Sequence, residues 1–366
     1  MTDPGGKLTF NISDRAQLRS ALQRATDEPV LIHLNADTTW LVSLPYPPTA
    51  ATTTTKPVAG RSRFNILLDP WLQGPQSDVA SWFSTQWHLV APSVQTIDEL
   101  NLLLIEAEQG EEAAGKAKTG NDGKPMSLID VVAISHEFTD HCHETTLKEL
   151  PRETPVFATE KAAELIRSWK HFDSVMTTPG FSSDSGDWQK TLSVSPLPDW
   201  VGIGRVITAG NALYYHSAIM IAFKTFAPAS NKEDTQTSNP SDHTSHTAAV
   251  IYSPHGIKAT DLAAVKSAGI ETRVLLHGLH DVGIWMTKQL NLGALNGLEA
   301  VRASGARYWV ATHDEEKKGG GFIAPLLRRT RYTVADAVRS EAKNMGDGAP
   351  DYRFVELGSG DALILA

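Results

Sequence analysis

The segment Ile134-Ser135-His136-Glu137-Phe138-Thr139-Asp140-His141-Cys142-His143 follows an apolar run, Asp130 to Ile134, and leads into a helical pattern. A strand that opens into such a loop sets side chains on a fixed rim, where they can converge on one ion. His136, Asp140 and His141 contribute two imidazoles and a carboxylate, donors that zinc, iron and manganese accept. The same residues also suit a loop held by hydrogen bonds, with Asp140 capping the helix that follows. Taken alone, the segment leaves both readings open.

Working outward, apolar runs alternate with helical patterns on both sides of this segment. Runs expected as strands include Asn65 to Asp69, Trp87 to Ala91, His216 to Phe223, Ala248 to Tyr252, Arg273 to His277 and Tyr308 to Ala311, and helices are expected between them. Runs rich in Val and Ile suit strands buried on both faces. The repeated alternation gives a layered α/β or α+β architecture. Three polar stretches, 47–63, 110–125 and 228–247, break the pattern and read as flexible insertions in one domain spanning 1–366. His243 and His246 fall in the third and are expected to be solvated.

Composition narrows the function. The chain has 366 residues, 33 Lys and Arg against 42 Asp and Glu, one cysteine and thirteen histidines. A net charge of −9 offers no footprint for sequence-independent nucleic-acid or anionic-membrane binding. One cysteine, Cys142, excludes an internal disulfide and every thiolate-rich zinc module. No basic start followed by an apolar run is visible, and Ala212 to Phe223 is too short to span a bilayer, so a cytoplasmic protein without a transmembrane segment is expected.

The sequence resembles the metallo-β-lactamase superfamily, whose motif His-x-His-x-Asp-His lies in a strand-to-helix loop. Here it reads His136-x-Phe138-x-Asp140-His141, with phenylalanine at the second histidine position. Asn65 to Pro70 resembles the family's early strand ending in an aspartate, Asp69. His216 matches the third-motif histidine and His313 the last histidine ligand. In the fourth motif His255 stands where the family has a bridging aspartate. The similarity runs from about residue 29 to about residue 325. Leu31 to Trp40 resembles the opening strand pair of the branch containing the ascorbate-phosphate lactonase and the N-acylphosphatidylethanolamine phospholipase D.

The resemblance implies a four-layer αββα sandwich with two mixed β-sheets and a metal site at one edge. It implies a hydrolase in which a metal-bound hydroxide attacks an ester, lactone, amide or phosphodiester of a small-molecule substrate. One or two ions are expected, zinc or else manganese or iron. His136, Asp140, His141, His216, His255 and His313 are the implied ligands, with Asp140 and His136 as catalytic groups and Asp69 orienting the motif. His277, at another strand end, is a candidate for supporting that shell. Phenylalanine offers no lone pair, so Asp140, His141 and His313 form the fullest expected set, with His255 as a fourth. The departures at Phe138 and His255 keep a non-catalytic binding protein of the same fold in view; a nuclease is the third alternative, and no oligomeric state is implied. Cys142 is expected as a core thiol, His143 as turned away, and His313 to Gly321 as a solvated loop. Trp71, Trp82, Phe83 and Trp87 are expected to pack into the core.

Overall fold

Alternation along the strands builds the molecule. In Trp40–Pro45 the side chains of Trp40, Val42 and Leu44 point one way and Leu41 the other; in Val131–Ile134, Val131 and Ala133 oppose Val132 and Ile134. Every residue of Val131–Ile134 is buried, because both faces of its sheet are covered. The computed structural model describes residues 8–48, 61–77, 82–117, 127–181, 187–207, 214–226, 245–284, 288–322, 326–342 and 351–366.

Two mixed sheets result. The first has eight strands, in the order Thr9–Asn11, Asp361–Ile364, Val30–His33, Trp40–Pro45, Arg63–Leu68, Val131–Ile134, Val156–Ala158 and Val175–Thr177. Its pairs are antiparallel as far as Arg63–Leu68 and parallel beyond it. The second has seven, in the order Arg353–Val355, Tyr308–Val310, Glu271–His277, Ser245–Ser253, Ala218–Phe226, Val201–Val206 and Gly180–Phe181.

Three apolar layers separate four structural ones. Between the sheets lie Trp40, Ile66, Phe157, Ile221, Val250 and Leu276 with their neighbours. Outside the first sheet, the helices Arg15–Arg24, Ile97–Gln109 and Glu160–Ser168 contribute Leu18, Leu100, Leu104 and Ile166. Outside the second, Ala259–Ser267 and Ala294–Ser304 contribute Leu262, Val265, Leu298 and Val301. This is the four-layer αββα sandwich that the resemblance implies, and among the described residues no helix is long and apolar enough to cross a membrane.

Several local expectations are corrected. The strand expected from His216 begins at Ala218, and that expected at Trp87 to Ala91 is instead Thr85–Trp87. Val201–Val206 is a strand that the sequence reading does not mark, and it carries two glycines. A Cβ at Gly202 or Gly204 would come within 2.9 or 2.8 Å of Leu192, so the glycines let the helix Trp188–Leu192 lie against the sheet. Of the three insertions, residues 49–60, 118–125 and 228–244, with His243, lie outside the described residues. Glu111–Ala117 is helical, with acidic residues in its first turn and Lys116 in its last, as the helix dipole favours. Ser245 to Thr247 open a long strand, on which His246 is exposed.

Two predictions follow from the packing. A Cβ at Gly297 would sit 2.5 Å from the buried Trp309 ring and 3.0 Å from His277 Nδ1. Alanine favours a helix over glycine by about 1 kcal/mol, but overpacking costs about 1–3 kcal/mol, so Gly297→Ala should lower the urea midpoint; a raised midpoint contradicts this packing. His33 stacks on Trp40 with ring centroids 3.7 Å apart, and burial pushes its pKa down to about 4 despite bonds to the Leu357 and Asp37 carbonyls. The unfolded chain takes up this proton near pH 6.5 and the folded one does not. Stability should therefore fall as pH drops from 6.5 to 4, by up to about 1.4 kcal/mol per unit from this group. Equilibrium unfolding across that range should show a shallower slope in His33→Gln, and an unchanged slope would exclude His33 as the source.

Candidate metal centre

Three loops at one edge of the sandwich, one after each of the strands Val131–Ile134, Ser245–Ser253 and Tyr308–Val310, bring His141, His255 and His313 together. Each offers a ring nitrogen, and the three nitrogens lie within 4.8 Å of one another. Ring centroids are 4.9 Å apart for His141 and His255, 4.9 Å for His141 and His313, and 5.1 Å for His255 and His313. All three residues are buried.

Each ring is aimed by a bond at its other nitrogen. His141 Nδ1 lies 2.7 Å from Asp69 Oδ2, His255 Nδ1 2.8 Å from Asn291 Oδ1, and His313 Nδ1 3.1 Å from Asp37 Oδ1. These oxygens only accept, so each Nδ1 carries the hydrogen and each Nε2 keeps its lone pair. Such lone pairs are what an ion needs. Nε2 of His141 and of His255 is buried without a hydrogen-bond partner, a costly state for a polar atom unless a ligand meets it. The donors therefore fit a metal.

Asp69 holds its place through several bonds of its own. Its carboxylate accepts from Ser135 N at 2.7 Å and from the Ser135 hydroxyl, and its backbone sits in the left-handed region at φ 41°. His313 is left-handed too, at φ 59°, and its N–H donates to Asp37 O at 2.9 Å. Strained backbone of this kind persists where surrounding bonds over-determine it. Asp37 is set by an Asx turn, in which Asn35 Oδ1 accepts from the N–H groups of Asp37 and Thr39.

A second donor group, Asp37, Asp140 and His313, adjoins the first and shares His313 with it. Lys317 enters this group: its Nζ lies 2.6 Å from Asp37 Oδ2 and 2.7 Å from Asp140 Oδ2. Burial alone would raise the Asp140 pKa, but Lys317, His141 and His313 hold it well below the usual carboxylate range. Burial opposes protonation of His141, yet the carboxylates of Asp140 and Asp69 lift its pKa above the ordinary value. His255 and His136 are pushed well below theirs, first by burial and then by neighbouring histidines, which keeps both neutral.

His136 adjoins the cluster, its ring 4.6 Å from that of His255 and 5.3 Å from that of His141. Neither of its nitrogens has a hydrogen-bond partner. Phe138 stacks on it at 5.9 Å and, with Tyr215, walls this side of the site.

Other expected residues lie elsewhere. His216 Nε2 is 3.1 Å from Leu290 O and its ring packs against Tyr215, so it enters neither donor group. Both nitrogens of His277 are taken, by Gly278 O at 2.8 Å and Asn296 Oδ1 at 2.9 Å, which makes it a satisfied core histidine and not a support for the ligands. Cys142 is buried in the outer apolar layer, and burial raises its pKa well above the ordinary thiol value. His143 caps the helix Glu144–Leu147, with Nδ1 2.9 Å from Thr146 Oγ1. Trp71 is buried, whereas Trp82 is 71 % exposed, contrary to expectation.

The segment from His313 is solvated only in part, with Glu316, Lys318, Gly319 and Gly321 exposed. Asp314 accepts from the N–H groups of Leu279 and His280, and Glu315 accepts from those of Leu89 and Val90 and pairs with His88 at 2.6 Å. Asn291, Asp37 and Lys317 were not assigned to the metal site from sequence. Of these only Asp37 falls in a stretch that the resemblance covers by motif, Leu31 to Trp40.

No family model and no curated protein matches the sequence. Among solved structures, the chain is similar to an isothiocyanate hydrolase from Delia radicum gut bacteria, with 14% identity over 91% of this chain and 98% of that one and a TM-score of 0.49. It is similar to a possible metal-dependent hydrolase from Veillonella parvula DSM 2008, with 12% identity, coverage of 92% and 99%, and a TM-score of 0.45. It is also similar to Igni18, a metallo hydrolase from Ignicoccus hospitalis KIN4/I, with 12% identity, coverage of 92% and 97%, and a TM-score of 0.41. These structural neighbours are described as hydrolases, and at such scores the chemistry of this chain rests on its own side chains.

The aiming bonds are open to test. Asp69→Ala frees the His141 ring and should weaken zinc binding by about 10- to 100-fold, as loss of an orienting partner commonly does. Competition against a chromogenic chelator measures this, and unchanged affinity in folded protein would remove Asp69 from the site.

Proposed function

We propose that the chain is a metal-dependent hydrolase of small molecules, with the ion held by His141, His255 and His313. One observation carries this reading: three buried imidazoles, each tied at Nδ1 to a separate acceptor, leave three Nε2 atoms to converge. Three imidazoles with an open fourth position are a zinc donor set, with manganese or iron as the other candidates. When bound, such an ion polarises the substrate and acidifies a water molecule toward neutrality.

The protein's own groups supply the rest. Asp69, Asn291 and Asp37 keep the rings in one tautomer and orientation. His136, neutral and without a hydrogen-bond partner at either nitrogen, adjoins the donor set, where it can accept a hydrogen bond from a substrate or water. Phe138 and Tyr215 keep bulk water from that side. Asp140, expected as a ligand from sequence, is assigned instead to fixing Lys317 and the charge balance beside the rings. Esters, lactones, amides and phosphodiesters remain the substrate classes, the lactone and phosphodiester being those of the branch the opening strand pair resembles.

Elemental analysis after zinc, manganese or iron loading, followed by a panel of these four substrate classes, tests the proposal. Bound metal and turnover are expected, with His141→Ala reducing kcat/KM by at least about 100-fold, since removing a ligand removes the ion. Folded protein that takes up no metal contradicts it, and metal uptake without turnover on any class supports a binding protein instead.

A further inference from the structure

We infer that the Lys317 ammonium fills the second cation position of the site, so that the chain takes one metal ion where its donors would otherwise take two. This rests on the three-imidazole reading above and assigns Lys317 a positioning role.

Two donor groups meet at His313: His141, His255 and His313 form one, and Asp37, Asp140 and His313 the other; with its Nδ1 held by Asp37, the one free nitrogen of His313 serves a single ion, so the second position rests on the two carboxylates. In the second group both carboxylates already meet a cation, at 2.6 Å from Asp37 and 2.7 Å from Asp140. The side chains are buried, Lys317 being 6% exposed, Asp37 0% and Asp140 11%. Buried carboxylates require a counter-charge where they sit. The chain provides one covalently, at the distance an ion pair requires.

The ammonium is held there from both sides. Upstream, Asp314 and Glu315 are anchored by backbone N–H groups of two other segments. Downstream, Lys318–Gly320 pairs antiparallel with Thr85–Trp87. Nζ also lies over the Trp71 ring, 5.3 Å from its centroid. A divalent ion entering this group would meet a fixed positive charge already bound to the same two carboxylates. Like charges at such separations repel strongly in a buried site. The imidazole group, by contrast, has no lysine within its donor set and two unpartnered nitrogens. One cation is therefore built in, and one is left for the solution to supply.

Zinc titration by calorimetry, with elemental analysis of the loaded protein, tests the inference without recourse to activity. Wild-type protein should bind one equivalent. Lys317→Met removes the charge at similar length and should bind two, and Lys317→Arg, which keeps a cation, should bind one. Lys317→Met also leaves two carboxylates unpaired, so its folding is checked first by circular dichroism. The wild-type stoichiometry is informative whether or not that variant folds. Two equivalents in wild type overturn the inference and leave the imidazole site standing, as does one equivalent in folded Lys317→Met. No bound zinc in folded wild type overturns the imidazole site itself, and the inference with it.

Discussion

Asp37 and Asp140 are buried side by side, and a single ammonium pairs with both. That contact ties together segments far apart in the chain: the turn between the opening strands, the motif loop and the strand-end loop after Tyr308–Val310. Each then supports the others. Asp37 turns its other oxygen to His313 Nδ1, and its carbonyl accepts from His313 N and Thr312 Oγ1. Thr38 donates to Asp140 O at 2.6 Å, and Tyr252 of the second sheet donates to Thr38 O. The edge between the sheets is closed by this network, and the imidazoles are set upon it.

The chemistry follows from what the network leaves over. Bonds to Asp69, Asn291 and Asp37 use one nitrogen of each ring, and burial keeps His255 and His313 uncharged. What remains is a small set of lone pairs facing one point in a water-poor setting. Such an arrangement is costly in an empty protein and favourable around an ion, which is why convergence of the rings says more than their number. Phe138, read as a missing ligand, stacks against His136 as an aromatic wall.

The architecture was legible because continuous apolar runs of strand length mark strands buried on both faces; Ala248 to Tyr252 and Asp130 to Ile134 needed no tertiary knowledge. Val201–Val206 was hidden because its glycines answer to Leu192 and Trp188, which lie across it only in the folded chain. In the candidate site, His136, Asp140 and His141 are legible by adjacency, and His255 and His313 through the family resemblance. His216 shows the limit of that resemblance, since its ring is claimed by Leu290 O. Lys317 and Asn291 carried no local mark at all. A lysine beside two glutamates and three glycines reads as solvated surface until Asp37, some 280 residues away in sequence, is known to face it.

The most direct test of the central claim, one ion held by three histidines, is X-ray absorption at the zinc edge of the zinc-loaded protein. A shell of three imidazole nitrogens at about 2.0–2.1 Å from a single zinc is the result the structure predicts. A zinc–zinc vector at about 3.5–4 Å, or a first shell without imidazole scattering, would contradict it.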